Sequence, residues 1–226
     1  MHESGFWGLV GNREQEALWA AGKPRAFQDG AMLCMEGEPS THLFILLSGW
    51  VKVITVSGEG RERVVALRGD GDIVGEVAQV AGYRTATVRA TGTVRTLIVA
   101  ADQFGVFLDA HPEAARAYRR IMTEYERAAH ESQRSQALSS GPRRLACLLL
   151  DLADQHGERI DGGIATALPL SQEELASLVG SSRSTVTRAL SDWRSRRVII
   201  TQQRHITIVD QATLRRIAGR PASRRG

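Results

Sequence analysis

The stretch SQEELASLVGSSRSTVTRALSDWRSRR, from Ser171 to Arg197, decides how the C-terminal part of this 226-residue chain folds. Ser171 followed by Glu174 has the spacing of a capping box, in which the serine oxygen accepts from a free backbone N–H and the glutamate reaches back to the serine amide. Leu175, Leu178 and Val179 give the helix so started an apolar stripe. Gly180 supplies a tight turn, and Ser182 can cap a second helix running from Arg183 to about Arg196. On that second helix Val186, Ala189, Leu190 and Trp193 fall on one face, and Arg183, Ser184, Thr187, Arg188 and Ser191 on the other. A face of arginines and small hydroxyls has the chemistry of a helix that reads the DNA major groove: bidentate donors for guanine, adaptable hydroxyls, and no bulk to block the base edges. A solvated amphipathic helix pair would show the same polarity. The next segment favours the reading helix, because Val198 to Thr201 and His205 to Val209 are two β-rich runs around the polar turn Gln202-Gln203-Arg204, the pattern of a hairpin wing.

The whole stretch resembles the winged helix-turn-helix of the cyclic-AMP receptor / fumarate-nitrate reduction regulator family. Its members carry a similar E-L-A-x-L-V-G-x-S-R-x-T-V-x-R-x-L string, which here runs from Glu174 to Leu190. The resemblance implies a sequence-specific transcription regulator on double-stranded DNA. It carries the base-reading positions onto Arg183, Ser184 and Arg188, with Thr187 beside them on the same face. Many relatives place glutamate where Ser184 stands, able to accept from cytosine N4; a serine cannot impose that choice.

Length and composition fit this organisation. The chain is long enough for two modest domains. Residues 1–110 hold 10 Lys and Arg against 13 Asp and Glu, whereas residues 139–226 hold 14 against 8, so a basic C-terminal part follows a mildly acidic N-terminal one. No apolar run approaches the roughly 18 residues of a membrane span, and the N-terminus lacks a basic stretch followed by an apolar core. A soluble cytoplasmic chain with no membrane partner is expected. Cys34 and Cys147 lie far apart and outside any C-x-x-C pattern, which predicts reduced core thiols, no metal site and no iron–sulfur cluster.

Toward the N-terminus, residues 6–21 read as one short helix. From Pro24 to about Val99, short apolar or alternating runs are punctuated by ten glycines between Gly30 and Gly92, which predicts an all-β barrel or jelly roll. The run HLFILLSGWVKVITV, His42 to Val56, resembles the L-F-I-L-x-S-G-x-V-K-V hairpin of cyclic-nucleotide-binding domains. Within Asp70–Ala90, DGDIVGEVAQVAGYRTATVRA, a Gly-Glu pair precedes an Arg-Thr pair. Such a cassette suits a cyclic phosphodiester: a glutamate can accept from a ribose hydroxyl, and an arginine can offer parallel donors to a phosphate. It resembles that family's phosphate-binding cassette, which puts Gly75 and Glu76 on the ribose and Arg84 and Thr85 on the phosphate of cyclic AMP or another cyclic nucleotide. Two features depart from the family pattern: the segment from Glu76 to Arg84 is slightly short, and Tyr83 stands where proline is frequent. Glu76 and Arg84 could instead pair with each other. His42 is alone in the barrel region, which argues against a cupin-like metal centre.

Asp102 is expected to cap a short helix. After His111-Pro112 a longer helix carries Ala114, Tyr118, Ile121, Tyr125, Ala128, Ser132 and Ser135 at alternating spacings of four and three, a heptad seam. The seam can serve a homodimer, which paired half-sites require, or can pack on the chain's own barrel. In the family's cyclic-AMP sensors a Thr-Ser or Thr-Asn pair on this helix contacts adenine; the corresponding positions here are Arg127 and Ala128. A hinge is read at Ser135 to Gly141, a helix opening at Pro142 and ending at Gly157, a small β element from Gly162 to Leu170, and a last helix capped by Asp210. The tail, with Arg215, Arg216, Arg220, Arg224 and Arg225, is either a phosphate-contacting arm or a solvated end.

The fold expected is thus α+β: a cyclic-nucleotide-binding-type β-barrel (jelly roll) over 1–110, a long dimerisation helix and hinge over 111–138, and a winged helix-turn-helix over 139–226. The function expected is an effector-controlled homodimeric regulator of transcription, not an enzyme, with RNA polymerase as a further partner if it activates. An effector-independent DNA-binding regulator with a vestigial barrel and a regulatory subunit that uses the barrel without DNA are the alternatives.

Overall fold

The computed structural model describes residues 5–58, 60–77, 82–203 and 205–220. Residues 78–81 of the cassette, Arg204 of the wing turn, and Arg224 and Arg225 of the tail lie outside the described residues. By contacts the chain forms two compact units, Met1–Arg127 and Ala128–Gly226.

The first unit is built on two long strands, β3 (His42–Val56) and β6 (Thr87–Ala100), paired antiparallel along most of their length. Shorter strands extend them: β1 (Lys23–Phe27) and β2 (Met32–Cys34) pair with β6, while β4 (Glu62–Arg68) and β5 (Ile73–Val74) pair with β3. The continuous apolar run Leu43–Leu46 follows from burial on both faces. Leu43 and Ile45 join one core with Leu97, Val99 and Phe104, and Phe44 and Leu46 join another with Val51, Val74 and Val88. The first of these cores is covered by helices α1 (Gly5–Leu9), α2 (Asn12–Ala21) and α3 (Ala101–Ala110), through Phe6, Leu18 and Phe104.

Two expectations change here. The single helix read over residues 6–21 is two, because Gly11 is extended and the Gln15 side chain donates to the carbonyls of Trp7 (2.9 Å) and Val10 (3.3 Å), satisfying the end of α1. Asp102 is not an N-cap. Strand β6 runs straight into α3, which opens at Ala101 with its N–H on the Thr41 carbonyl, and the Asp102 carboxylate accepts from Gln103 N–H (2.8 Å) inside the first turn.

Helix α4 (Pro112–Leu138) follows. The first half of its heptad seam is committed within its own unit: Ala114 and Ile121 are buried in the core beside Phe6 and Phe104, with Tyr118 and Tyr125 packed on it. Farther along the seam Ala128 is exposed, and Ser132 and Ser135 are half-buried. The hinge is also shorter than read, since α4 continues through Leu138 and only Ser139 and Ser140 separate it from α5 (Gly141–His156).

The second unit holds α5, the hairpin β7 (Glu158–Ile160) and β8 (Gly163–Ala167), α6 (Gln172–Leu178), α7 (Arg183–Ser195), the wing β9 (Ile199–Gln202) and β10 (His205–Ile208), and α8 (Gln211–Ala218). The β element read at 162–170 is the second strand of a hairpin, and it pairs with the wing: the sheet order is β7-β8-β10-β9. Asp210 caps α8, its carboxylate accepting from Thr213 N–H at 2.9 Å.

Candidate functional sites: a barrel cleft and an exposed helix face

A cleft with about 490 Å³ of free space, its open mouth included, lies in the barrel between β4 and the cassette. Val53, Val74 and Val88 form apolar wall; Arg68, Glu76, Arg84 and Thr85 bring the polar groups. All four residues read as ligand-binding, Gly75, Glu76, Arg84 and Thr85, line it.

Arg84 is only 2 % exposed. Its backbone is clamped by the 37–38 turn: its N–H donates to the Glu38 carbonyl and its carbonyl accepts from Gly37, both at 2.8 Å. Tyr83, which departs from the family pattern, is exposed and bridges to Pro39, so it belongs to the same clamp. The Arg84 guanidinium donates through Nη1 to the Gly75 carbonyl (3.2 Å), with its Cζ 5.5 Å from the Phe44 ring centroid. Its Nη2 is buried without a hydrogen-bond partner among the described residues. Gly75 has φ +81°, and a Cβ there would collide with Arg84 Nη1. A glycine is therefore needed at 75 both for backbone conformation and for space.

No ion pair between Glu76 and Arg84 is among the described contacts; the guanidinium faces the Gly75 carbonyl instead. Burial raises the Glu76 carboxyl above its usual range, opposed by a backbone hydrogen bond and by Arg68 and Arg84. Thr85 is exposed at the cleft. A buried, partly unsatisfied guanidinium beside a positive-φ glycine and a carboxylate fits an anion that also carries a hydroxyl.

In the second unit the capping box forms as read: Glu174 N–H donates to Ser171 Oγ (3.2 Å) and Ser171 N–H to Glu174 Oε2 (2.8 Å). Gly180, at φ +59°, turns the chain, and Ser182 caps α7 by accepting from Thr185 N–H. Val186, Ala189, Leu190 and Trp193 are buried, and Arg183, Ser184 and Arg188 are exposed. Arg183 lies 4.0 Å from Glu173, and Arg188 Nε donates to the Ser184 carbonyl (3.3 Å); both are loose, exposed contacts. Thr187 differs from the other three. Its hydroxyl donates to Gln172 Oε1 at 2.6 Å, which ties α7 to α6.

Two residues escaped the sequence reading. Arg68 lies outside the cassette's boundaries; the signal for it was a charge two residues beyond Ala66 on β4, the spacing that puts both on one face. Arg144 donates to the carbonyls of Val179 (2.5 Å), Gly180 (2.7 Å), Ser135 (3.3 Å) and Ser139. Its signal was electrostatic: Arg143 and Arg144 stand in the first turn of α5, the end whose dipole repels cations.

Among the described residues no helix is long and apolar enough to cross a membrane, and no three His, Cys, Asp or Glu side chains gather as a metal site.

Residues 24–111 match the family described as cyclic nucleotide-binding domain, and residues 143–217 that described as Crp-like helix-turn-helix domain. The CRP-like cAMP-activated global transcriptional regulator of Mycobacterium tuberculosis is 31 % identical over 215 residues, covering 93 % of this chain and 96 % of that protein. The global nitrogen regulator of Synechococcus elongatus is 29 % identical, covering 83 % and 86 %. Among solved structures, FixK2 from Bradyrhizobium japonicum superposes with a TM-score of 0.76 at 19 % identity over 89 % of this chain and 98 % of that one. A CRP-family transcriptional regulator from Thermus thermophilus gives 0.71 at 26 % identity, over 86 % and 96 %.

Proposed function

The chain belongs to the cyclic-AMP receptor / fumarate-nitrate reduction regulator family of transcription regulators, with a cyclic-nucleotide-binding domain and a helix-turn-helix DNA-binding domain, and from that premise we propose that it is a homodimer whose affinity for DNA is set by a cyclic nucleotide held in the barrel cleft. The observation that carries the effector is the buried Arg84 Nη2 with no partner among the described residues. A guanidinium kept from water with a donor unspent is stabilised when an anionic oxygen takes it. In this reading Arg84 would hold the phosphate with Thr85 at its side, and Glu76 would accept from the ribose hydroxyl. The M. tuberculosis relative, described as cAMP-activated, supports the same ligand class.

DNA reading falls to Arg183, Ser184 and Arg188, exposed in the N-terminal half of α7. Each arginine can grip guanine O6 and N7, worth about 1–3 kcal/mol of discrimination. Thr187 serves as the brace that fixes the angle of α7 on α6 rather than as a base reader. Two copies are needed to read paired half-sites. The effector acts to the extent that it binds the DNA-competent state better than the other.

Calorimetric titration of the purified protein with cyclic AMP and cyclic GMP tests the effector. Binding supports it, and absence of heat with both nucleotides leaves the DNA-binding reading with another effector or none. Site selection from random DNA tests the reading helix. The recovered half-site is expected to show relaxed preference at the pair facing Ser184, and Ser184→Glu to impose a cytosine contact there. Recovery of the family half-site with full preference at that pair in the unaltered protein would refute the assignment of Ser184.

A further inference from the structure

Arg68 closes β4 and shares one face of that strand with Ala66; both line the cleft. Its guanidinium lies 3.7 Å from the centroid of the Tyr125 ring on α4, and Nη1 donates to the Leu67 carbonyl at 3.1 Å. The Tyr125 hydroxyl in turn donates to the Ile73 carbonyl (3.4 Å), two residues before Gly75, so the ring is fixed beside the cassette. A guanidinium held over an aromatic ring still carries its N–H donors in a planar, pre-organised fork that suits a bidentate acceptor.

The chemistry of the ligand says what meets that fork. In a 3′,5′-cyclic nucleotide the phosphate closes on C3′ and C5′ and the base leaves from C1′, with the 2′-hydroxyl between them. A ligand pinned by Arg84 at the phosphate and by Glu76 at the hydroxyl therefore directs its base away from Arg84. Arg68 lines the same cleft from β4, held over Tyr125, whereas Arg84 is held against the Gly75 carbonyl and Phe44. Arg127 and Ala128, which stand where the family's cyclic-AMP sensors contact adenine, are both exposed on α4.

We propose that Arg68, held on Tyr125, selects the base of the effector, and that it selects guanine over adenine. Guanine offers two acceptors, O6 and N7, to a bidentate donor; adenine replaces O6 with an N6 donor that opposes the guanidinium. This rests on the cleft being a cyclic-nucleotide site.

Calorimetry on the full chain with cyclic GMP and cyclic AMP tests it, using the unaltered protein, Arg68→Leu and Arg68→Lys. The unaltered protein is expected to bind cyclic GMP about 10-fold tighter than cyclic AMP or better, the scale of one bidentate base contact. Arg68→Leu should weaken cyclic GMP by the same factor and leave cyclic AMP within about twofold, which also reports that the variant is folded. Arg68→Lys keeps the charge without the fork and should keep little of the preference. Equal affinities or a preference for cyclic AMP in the unaltered protein overturns the inference, as does an Arg68→Leu variant that weakens both nucleotides alike. Those outcomes leave the cyclic-nucleotide reading standing, whereas binding of neither nucleotide removes both.

Discussion

Arg84→Ala is expected to weaken cyclic-nucleotide binding by on the order of 100-fold while the chain stays folded. The guanidinium is buried, and its charge-assisted bonds to a phosphate would contribute about 1.5–3 kcal/mol each, so the loss of two is the loss of about two decades or more in Kd. Folding suffers less, because alanine also removes the cost of holding an unsatisfied buried cation. Gly75→Ala provides the independent arm. Its Cβ would be forced into Arg84 Nη1 at φ +81°, a conformation that costs an alanine about 1–2 kcal/mol. That is a modest share of a domain's roughly 5–15 kcal/mol. The variant should therefore melt a few degrees lower and bind nucleotide almost as poorly as Arg84→Ala. Retained affinity in both variants, measured calorimetrically, would show that the cleft does not hold its anion through Arg84.

The sequence made some of this accessible and hid the rest for reasons that can be stated residue by residue. The helix-turn-helix was readable because its signals are local: Ser171 and Glu174 are three residues apart, Ser182 caps the helix it precedes, and the buried face of α7 follows the helical period. The barrel was readable from alternation, and Arg84 and Glu76 from a cassette that is nearly contiguous. What stayed hidden depends on partners distant in the chain. Thr187 looks like its neighbours on the α7 face until Gln172, 15 residues earlier, is seen to take its hydroxyl. The seam of α4 has heptad spacing whether its partner is another copy or the chain's own core, and only packing against Phe6 and Phe104 assigns Ala114 and Ile121. The β7–β8 hairpin was read as a short element because its pairing with the wing spans about 40 residues and leaves no trace in either segment's pattern.

Arg144 is the residue for which the hidden part has the largest expected effect on folding. Helix ends leave carbonyls without intrahelical partners, and these carry the negative end of the helix dipole. Two such ends meet at one guanidinium: Ser139 and, as a further bond to a carbonyl that also accepts from Ser139 N–H, Ser135 at the close of α4, and Val179 and Gly180 at the close of α6. A planar fork offers five N–H donors spread over three nitrogens, where an ammonium has three on a single atom. Arg143, its neighbour, does a lesser version of the same job, donating through Nε to the Ala218 carbonyl at the end of α8 (3.1 Å). Arg144→Ala is therefore expected to cost the Ala128–Gly226 unit about 2–3 kcal/mol, a sum of charge-assisted bonds discounted for partial exposure. Arg143→Ala should cost about 0.5–1 kcal/mol, and Arg144→Lys should recover less than half of the loss. Urea titrations of the three variants measure this directly. DNA affinity adds a second readout, since Val179 and Gly180 form the turn that sets α7 on α6: loosening it should weaken DNA binding beyond what the unfolded fraction accounts for. Equal stability of Arg144→Ala and Arg143→Ala would mean that the four carbonyls are satisfied by water as well as by the guanidinium, and that the turn is held by the buried Leu175, Val179 and Val186 instead.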